Sequence, residues 1–115
     1  MDLVEIAEVR ESIQTFGERY LERVFTQTER HECGASPARL AERFAAKEAI
    51  LKALEVDAPV SLAAIGTRAG GRSVLTVQLA GAAAELAGRR GVGRIGVSVS
   101  RGQGYAAAVA VAGSL

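Results

Sequence analysis

Along the first half of the chain, apolar positions recur at helical intervals. Val4, Val9, Ile13 and Phe16 keep near-helical spacing until Gly17 interrupts them, and Glu18 to Phe25 continues the same character. Thr26-Gln27-Thr28-Glu29 then fits a capping box, in which the Thr hydroxyl and the Glu carboxylate satisfy free amides at a helix start. Gly34 keeps that helix brief. Ser36-Pro37 predicts the start of a longer one, because Ser suits the N-cap and Pro lacks only an N–H that has no partner there. Nothing breaks this helix before about Leu54, and its alanines favour it. With Leu40 at the origin and a step of 100° per residue, Leu51 falls at about 20°, Phe44 at about 40° and Leu54 at about 320°, a buried stripe. On the same wheel Lys47 lies inside the stripe at about 340°, with Glu48 at about 80° and Lys52 at about 120° on its flank.

The second half changes period. Val60 to Gly66 reads as a strand, and Val74 to Leu79 as a better one, with Val74, Thr76 and Gln78 alternating against Leu75, Val77 and Leu79. Ala80 to Ala87 predicts a helix that stops at Gly88. Ile95, Val97 and Val99 alternate with Gly96, Ser98 and Ser100, and Tyr105 to Ala112 resumes a strand pattern after Arg101-Gly102-Gln103-Gly104, which predicts a hairpin. Helices first, then strands with one intervening helix, argue an α+β fold with the long central helix packed on an antiparallel sheet. Residues 1–115 are expected to form a single domain.

Composition narrows the class. The chain is 49% hydrophobic and 23% charged, a globular balance that excludes a wholly disordered or collagen-like protein. No apolar run reaches the roughly 18 residues a membrane span needs. Asp2, Glu5, Glu8 and Arg10 match no signal-peptide pattern, so the cytoplasm is the expected compartment. The lone Cys33 excludes an internal disulfide and a multi-cysteine zinc site. A formal charge of +1 suggests no binding to nucleic acid driven by net charge, although Arg89, Arg90, Arg94 and Arg101 load the C-terminal third. His31 reads as a surface residue, and Phe44 and Tyr105 read as packing residues.

Chemistry concentrates in Arg43 to Ala53. Glu48 and Lys52 are spaced i,i+4, which on a solvated helix is an ordinary ion pair worth about 0.3–0.5 kcal/mol. Two lysines and a carboxylate pressed against an apolar stripe are costly, however, unless paired or bound to something. A carboxylate beside a lysine suits a metal–phosphate site: oxygen ligands hold Mg²⁺ and an ammonium neutralises phosphate oxygens.

The run Arg43-Phe44-Ala45-Ala46-Lys47-Glu48-Ala49-x-x-Lys52-Ala53 resembles the signature of the 4′-phosphopantetheinyl transferase superfamily, of the small holo-acyl-carrier-protein synthase type. Asp2-Leu3-Val4-Glu5-Ile6 is similar to the family's N-terminal Asp motif, and Phe25-Thr26-x-x-Glu29 to its next turn. Val97-Ser98-Val99-Ser100 with Tyr105-Ala106-Ala107-Ala108 resembles its closing hairpin, and Gly70-Gly71-Arg72 its Gly-Lys/Arg-Pro turn. The resemblance implies Mg²⁺-dependent transfer of 4′-phosphopantetheine from coenzyme A to a serine of an acyl carrier protein, releasing adenosine 3′,5′-bisphosphate. It makes Asp2 and Glu48 the metal ligands and Glu48 and Lys52 the catalytic residues. Arg43, Lys47, Lys52, Arg72 and Arg101 become the coenzyme A-binding residues. It also implies a homotrimer with active sites between subunits.

Four departures mark this chain. The family's short strand before its metal-binding Asp has no counterpart ahead of Asp2, which directly follows Met1. Glu8 stands where an arginine meeting the acidic carrier protein is expected. Leu54-Glu55-Val56-Asp57-Ala58-Pro59 replaces a Gly-rich loop, bringing two carboxylates towards a phosphate path. Arg101 ends the Ser-x-Ser run where a histidine is expected. The alternative they raise is a diverged paralogue that keeps the fold and binds a carrier protein or coenzyme A fragment without the transfer.

Overall fold

The computed structural model describes residues 1–114. Its elements run β1 (Asp2–Glu5), α1 (Ile6–Phe16), α2 (Glu18–Val24), α3 (Gln27–Cys33), α4 (Pro37–Ala53), a 3-10 turn (Leu62–Ala64), β2 (Ile65–Gly71), β3 (Val74–Leu79), α5 (Gly81–Arg89), β4 (Arg94–Gly102) and β5 (Tyr105–Gly113). The strands form one five-stranded antiparallel sheet in the order β1-β5-β4-β3-β2. The first strand of the chain thus closes one edge by pairing with the last, Asp2 opposite Ala108 and Val4 opposite Ala106. Val4 therefore belongs to a strand and not to the helix its spacing predicted, and the N-terminal strand begins at Asp2 itself. Helix α1 starts only once Ile6 has passed the end of β5, where its amide donates to the Gly104 carbonyl at 2.9 Å.

The long helix begins as predicted: Ser36 caps it, its hydroxyl accepting from the Arg39 amide at 3.2 Å, and Pro37 is the first helical residue. Its packing differs from the stripe. Leu40, Ile50 and Leu54 are fully buried, but so are Ala41, Ala45, Ala46 and Ala49, whereas Phe44 and Leu51 are half-buried. Helix α4 lies across β4 and β5 and is also flanked by β1, β2, α1 and α3. Side-chain size weights a helical wheel, so it understates alanines. Small residues here, with Ala106 and Ala108 on β5, let helix and sheet approach closely.

Two loops bear on the comparison with the family pattern. After α4 the Val56 amide bonds to the Leu51 carbonyl and the Glu55 amide to the Lys52 carbonyl, a Schellman ending that puts Glu55 at φ 53° where glycine is usual. Its carbonyl accepts from Arg90 at 2.7 Å, and Arg90 lies 3.5 Å from Asp57, so a cation of the chain partners this acidic loop. Between β2 and β3, Arg72 (φ 21°) and Ser73 (φ 42°) form a two-residue turn. A proline ring could not take the φ of Ser73 in this turn. The strand predicted from Val60 also shifts: β2 starts at Ile65, after the 3-10 turn.

Candidate active site

Because Asp2 lies two residues from buried Val4, it faces the helix layer, and β1 packs on α4. The Lys52 ammonium reaches across to it, Nζ to Asp2 Oδ1 at 2.8 Å, and also donates to the Met1 carbonyl at 3.4 Å. The Asp2 carboxylate is largely enclosed, 15% exposed, whereas the Lys52 side chain is 61% exposed. Glu48 lies one helical turn before Lys52. Burial first, and then the charge of Asp2, raise the Glu48 carboxyl above its ordinary range, with Lys52 acting in the opposite sense. The bond to Asp2 holds the Lys52 ammonium above its usual value. Two carboxylates thus converge beside one exposed cation.

The donor set is all oxygen and suits a hard divalent ion such as Mg²⁺, which is held by one or two carboxylates and completes its shell with water and substrate phosphate. Among the described residues no three His, Cys, Asp or Glu side chains gather, so two carboxylates are what the chain itself offers here.

Arg43 and Lys47, the other cations of the α4 motif, lie elsewhere. Lys47 is fully buried, and its three ammonium hydrogens meet Glu29 Oε1 at 2.7 Å, the Leu62 carbonyl at 3.0 Å and the Ile65 carbonyl at 2.7 Å. No donor remains for coenzyme A. Burial lowers the Lys47 pKa and the charge of Glu29 opposes the shift. Arg43 is also buried, 2.9 Å from Glu32 and bonded to the carbonyl and hydroxyl of Thr67 at 3.3 and 3.4 Å. The coenzyme A-facing positions implied for these two are therefore occupied by the protein's own acceptors.

Sequence reasoning gave Glu29 a capping role and a place in the Phe25-Thr26-x-x-Glu29 motif, and gave Glu32 and Thr67 no role. The cap is present, with Thr26 N–H donating to Glu29 Oε1 at 2.8 Å and Glu29 N–H to the Thr26 hydroxyl at 3.2 Å. The same carboxylate also accepts from the Thr67 amide at 2.9 Å and from its hydroxyl at 2.5 Å. Glu32 likewise accepts from the Ala69 amide at 3.1 Å. Helix α3 thus supplies acceptors to amides of the edge strand β2, which would otherwise be open to pairing. The only signal in the sequence was Phe25-Thr26-x-x-Glu29, whose Phe25 ring lies 5.8 Å from the Lys47 ammonium.

Arg101, at the end of β4, has its Nε 3.6 Å from Glu42 of α4 and remains 42% exposed. Arg72 is exposed at the β2–β3 turn, which is tied to β4 through the Val99 amide and the Ser73 carbonyl at 2.8 Å. Neither joins the Asp2–Glu48–Lys52 cluster through a bond within this chain. Tyr105, expected to pack, is 42% exposed and its hydroxyl lies 3.4 Å from Glu5. His31 is exposed, and Cys33 is buried with its thiol pKa raised by burial.

Fold and cluster together define a small α+β protein in which two carboxylates of β1 and α4 meet the exposed Lys52. The sequence profile of the 4′-phosphopantetheinyl transferase superfamily matches residues 1–110, and the chain belongs to that family. It is 38% identical over 117 residues to a holo-[acyl-carrier-protein] synthase of Chlamydia trachomatis, covering 97% of this chain and 95% of the relative. It is 37% identical over 111 residues to one from Dehalococcoides mccartyi, covering 96% and 93%. The structure of Helicobacter pylori holo-[acyl-carrier-protein] synthase in complex with coenzyme A superposes with a TM-score of 0.86 at 27% identity, over 97% of this chain and 96% of that one. The acyl carrier protein synthase of Mycobacterium tuberculosis gives 0.77 at 32% identity, over 99% and 94%.

Proposed function

We infer that this chain transfers the 4′-phosphopantetheine group of coenzyme A to a serine hydroxyl of an acyl carrier protein. The observation that carries this reading is the meeting of Asp2, Glu48 and Lys52 in the family fold, with Asp2 and Lys52 separated by 50 positions in the chain. In the step, the serine oxygen bonds to the phosphorus next to pantetheine. The bond from that phosphorus to the bridging oxygen breaks, adenosine 3′,5′-bisphosphate leaves with the electron pair, and the serine proton is released. Asp2 and Glu48 would hold Mg²⁺, which when bound supplies charge neutralisation at the pyrophosphate. Lys52 binds the same pyrophosphate oxygens through its ammonium, and the exposed Arg101 and Arg72 are the cations of the motif set left to meet the 3′-phosphate of coenzyme A. Positioning and charge neutralisation are most of what such a transfer requires.

The homotrimer follows from the same reading. The sheet face away from α4 carries exposed Leu3, Val74, Val109 and Val111, and the rows Leu3–Ala107–Ser100 and Val74–Ser98–Val109 make it continuous. A second copy against this face would bury its exposed valines and Leu3. The acidic carrier protein has a matching surface at Phe16 and Tyr20 between Arg19 and Arg23, which line a cavity of about 240 Å³. Among the described residues no helix is long and apolar enough to cross a membrane.

Mass spectrometry of an apo acyl carrier protein incubated with this chain, coenzyme A and Mg²⁺ tests the reading. A mass gain of one phosphopantetheine, lost when a chelator is added, is the expected result. No gain across several carrier proteins would overturn it and leave a protein that keeps the fold without the transfer.

A further inference from the structure

In the free protein the Asp2 carboxylate proposed to hold a divalent ion already has a cation on it. Lys52 Nζ sits 2.8 Å from Asp2 Oδ1 and also bonds to the Met1 carbonyl, so one ammonium holds both the carboxylate and the start of β1. Asp2 is the enclosed partner and Lys52 the exposed one, 15% against 61%, so Lys52 is the member free to move. Its flexible four-carbon stem allows the ammonium to leave without disturbing α4. An ammonium and a divalent ion on the same carboxylate oxygen repel one another, so each weakens the other's hold on Asp2.

We propose that Lys52 is a built-in cation that occupies Asp2 until coenzyme A arrives, and that pyrophosphate draws it away and frees the carboxylate for the metal. This rests on the metal site of the proposed function. Cation and coenzyme A then bind together, and each raises the affinity of the other by the same factor. The exchange also keeps the two converging carboxylates compensated at every stage, first by Lys52 and afterwards by the divalent ion.

The test is titration of the intact protein with Mn²⁺, following free Mn²⁺ by electron paramagnetic resonance, with and without coenzyme A. The proteins are the unmodified chain, Lys52→Met, Lys52→Gln and Arg39→Gln, the last removing an exposed cation from the far end of α4. Without coenzyme A, both Lys52 variants are expected to bind Mn²⁺ about five- to tenfold tighter than the unmodified chain, and Arg39→Gln to stay within about twofold of it. Coenzyme A is expected to tighten Mn²⁺ binding far more in the unmodified chain than in the Lys52 variants. Equal Mn²⁺ affinity of the Lys52 variants and the unmodified chain without coenzyme A, alongside tight binding with it, sinks this proposal and leaves the metal site standing. An equal gain in Arg39→Gln reduces the effect to net charge and also overturns it. Absence of Mn²⁺ binding in every protein, even with coenzyme A, removes the metal site and this proposal with it.

Discussion

Lys47 and Glu29 are both fully buried, yet each has its polar atoms matched by named partners, which is the condition under which a protein tolerates such a pair. Removing one partner strands the other charge. Lys47→Met is expected to lower stability by about 3–5 kcal/mol in urea unfolding, and a loss under about 1 kcal/mol would show that Glu29 finds another proton or partner. Glu32 behaves differently because it reaches the surface. Its partial burial works against the charged form, but the Ala69 amide and Arg43 together hold its carboxyl below the ordinary 4.5. A carboxyl that binds protons more weakly when folded stabilises above its unfolded pKa and loses that contribution as pH falls through the folded value. Glu32→Gln should therefore flatten the stability loss below about pH 4.5, and an unchanged acid limb in pH-dependent unfolding would contradict the pairing.

Among the elements, α4 carries the organisation: one face lies on the sheet, Lys47 pins β2 through Glu29, and the last turns present Glu48 and Lys52 to β1. The end of this helix is conformationally costly, since Glu55 takes a left-handed φ of 53° that a side chain disfavours. Glu55→Gly keeps the Schellman bonds and removes that cost, so thermal unfolding should show a gain of about 1 kcal/mol. A loss instead would mean that the carboxylate itself stabilises the loop beside Arg90. The capping box and the Ser36-Pro37 start were legible because each is a contact within three residues. The link from Thr67 to Glu29, 38 residues apart, was not, because no local spacing records which strand lies against which helix.

For the whole molecule, the apolar outer face of the sheet bears on the proposed homotrimer. Val111 is 67% exposed and Val109 47%, so a charge there costs an isolated chain little and an interface a great deal. Sedimentation should show a trimer, and Val111→Glu should release folded monomers with reduced transfer activity. A monomeric native protein with full activity would place the whole site within one chain and refute the interfacial arrangement.

The sequence by itself determined what nearest neighbours determine: the caps, the extent of α4, the strand alternation, and Glu48 and Lys52 one turn apart on a helix. Through its motifs it also carried the family resemblance. Tertiary structure alone decided that Val4 is a strand residue, that alanines outrank Phe44 and Leu51 in burial, and which acceptors meet the buried Lys47. It alone brought Asp2 to Lys52. Hydrogen bonds within a turn depend on a few adjacent residues, whereas burial and ion pairing depend on which distant segments the topology makes neighbours.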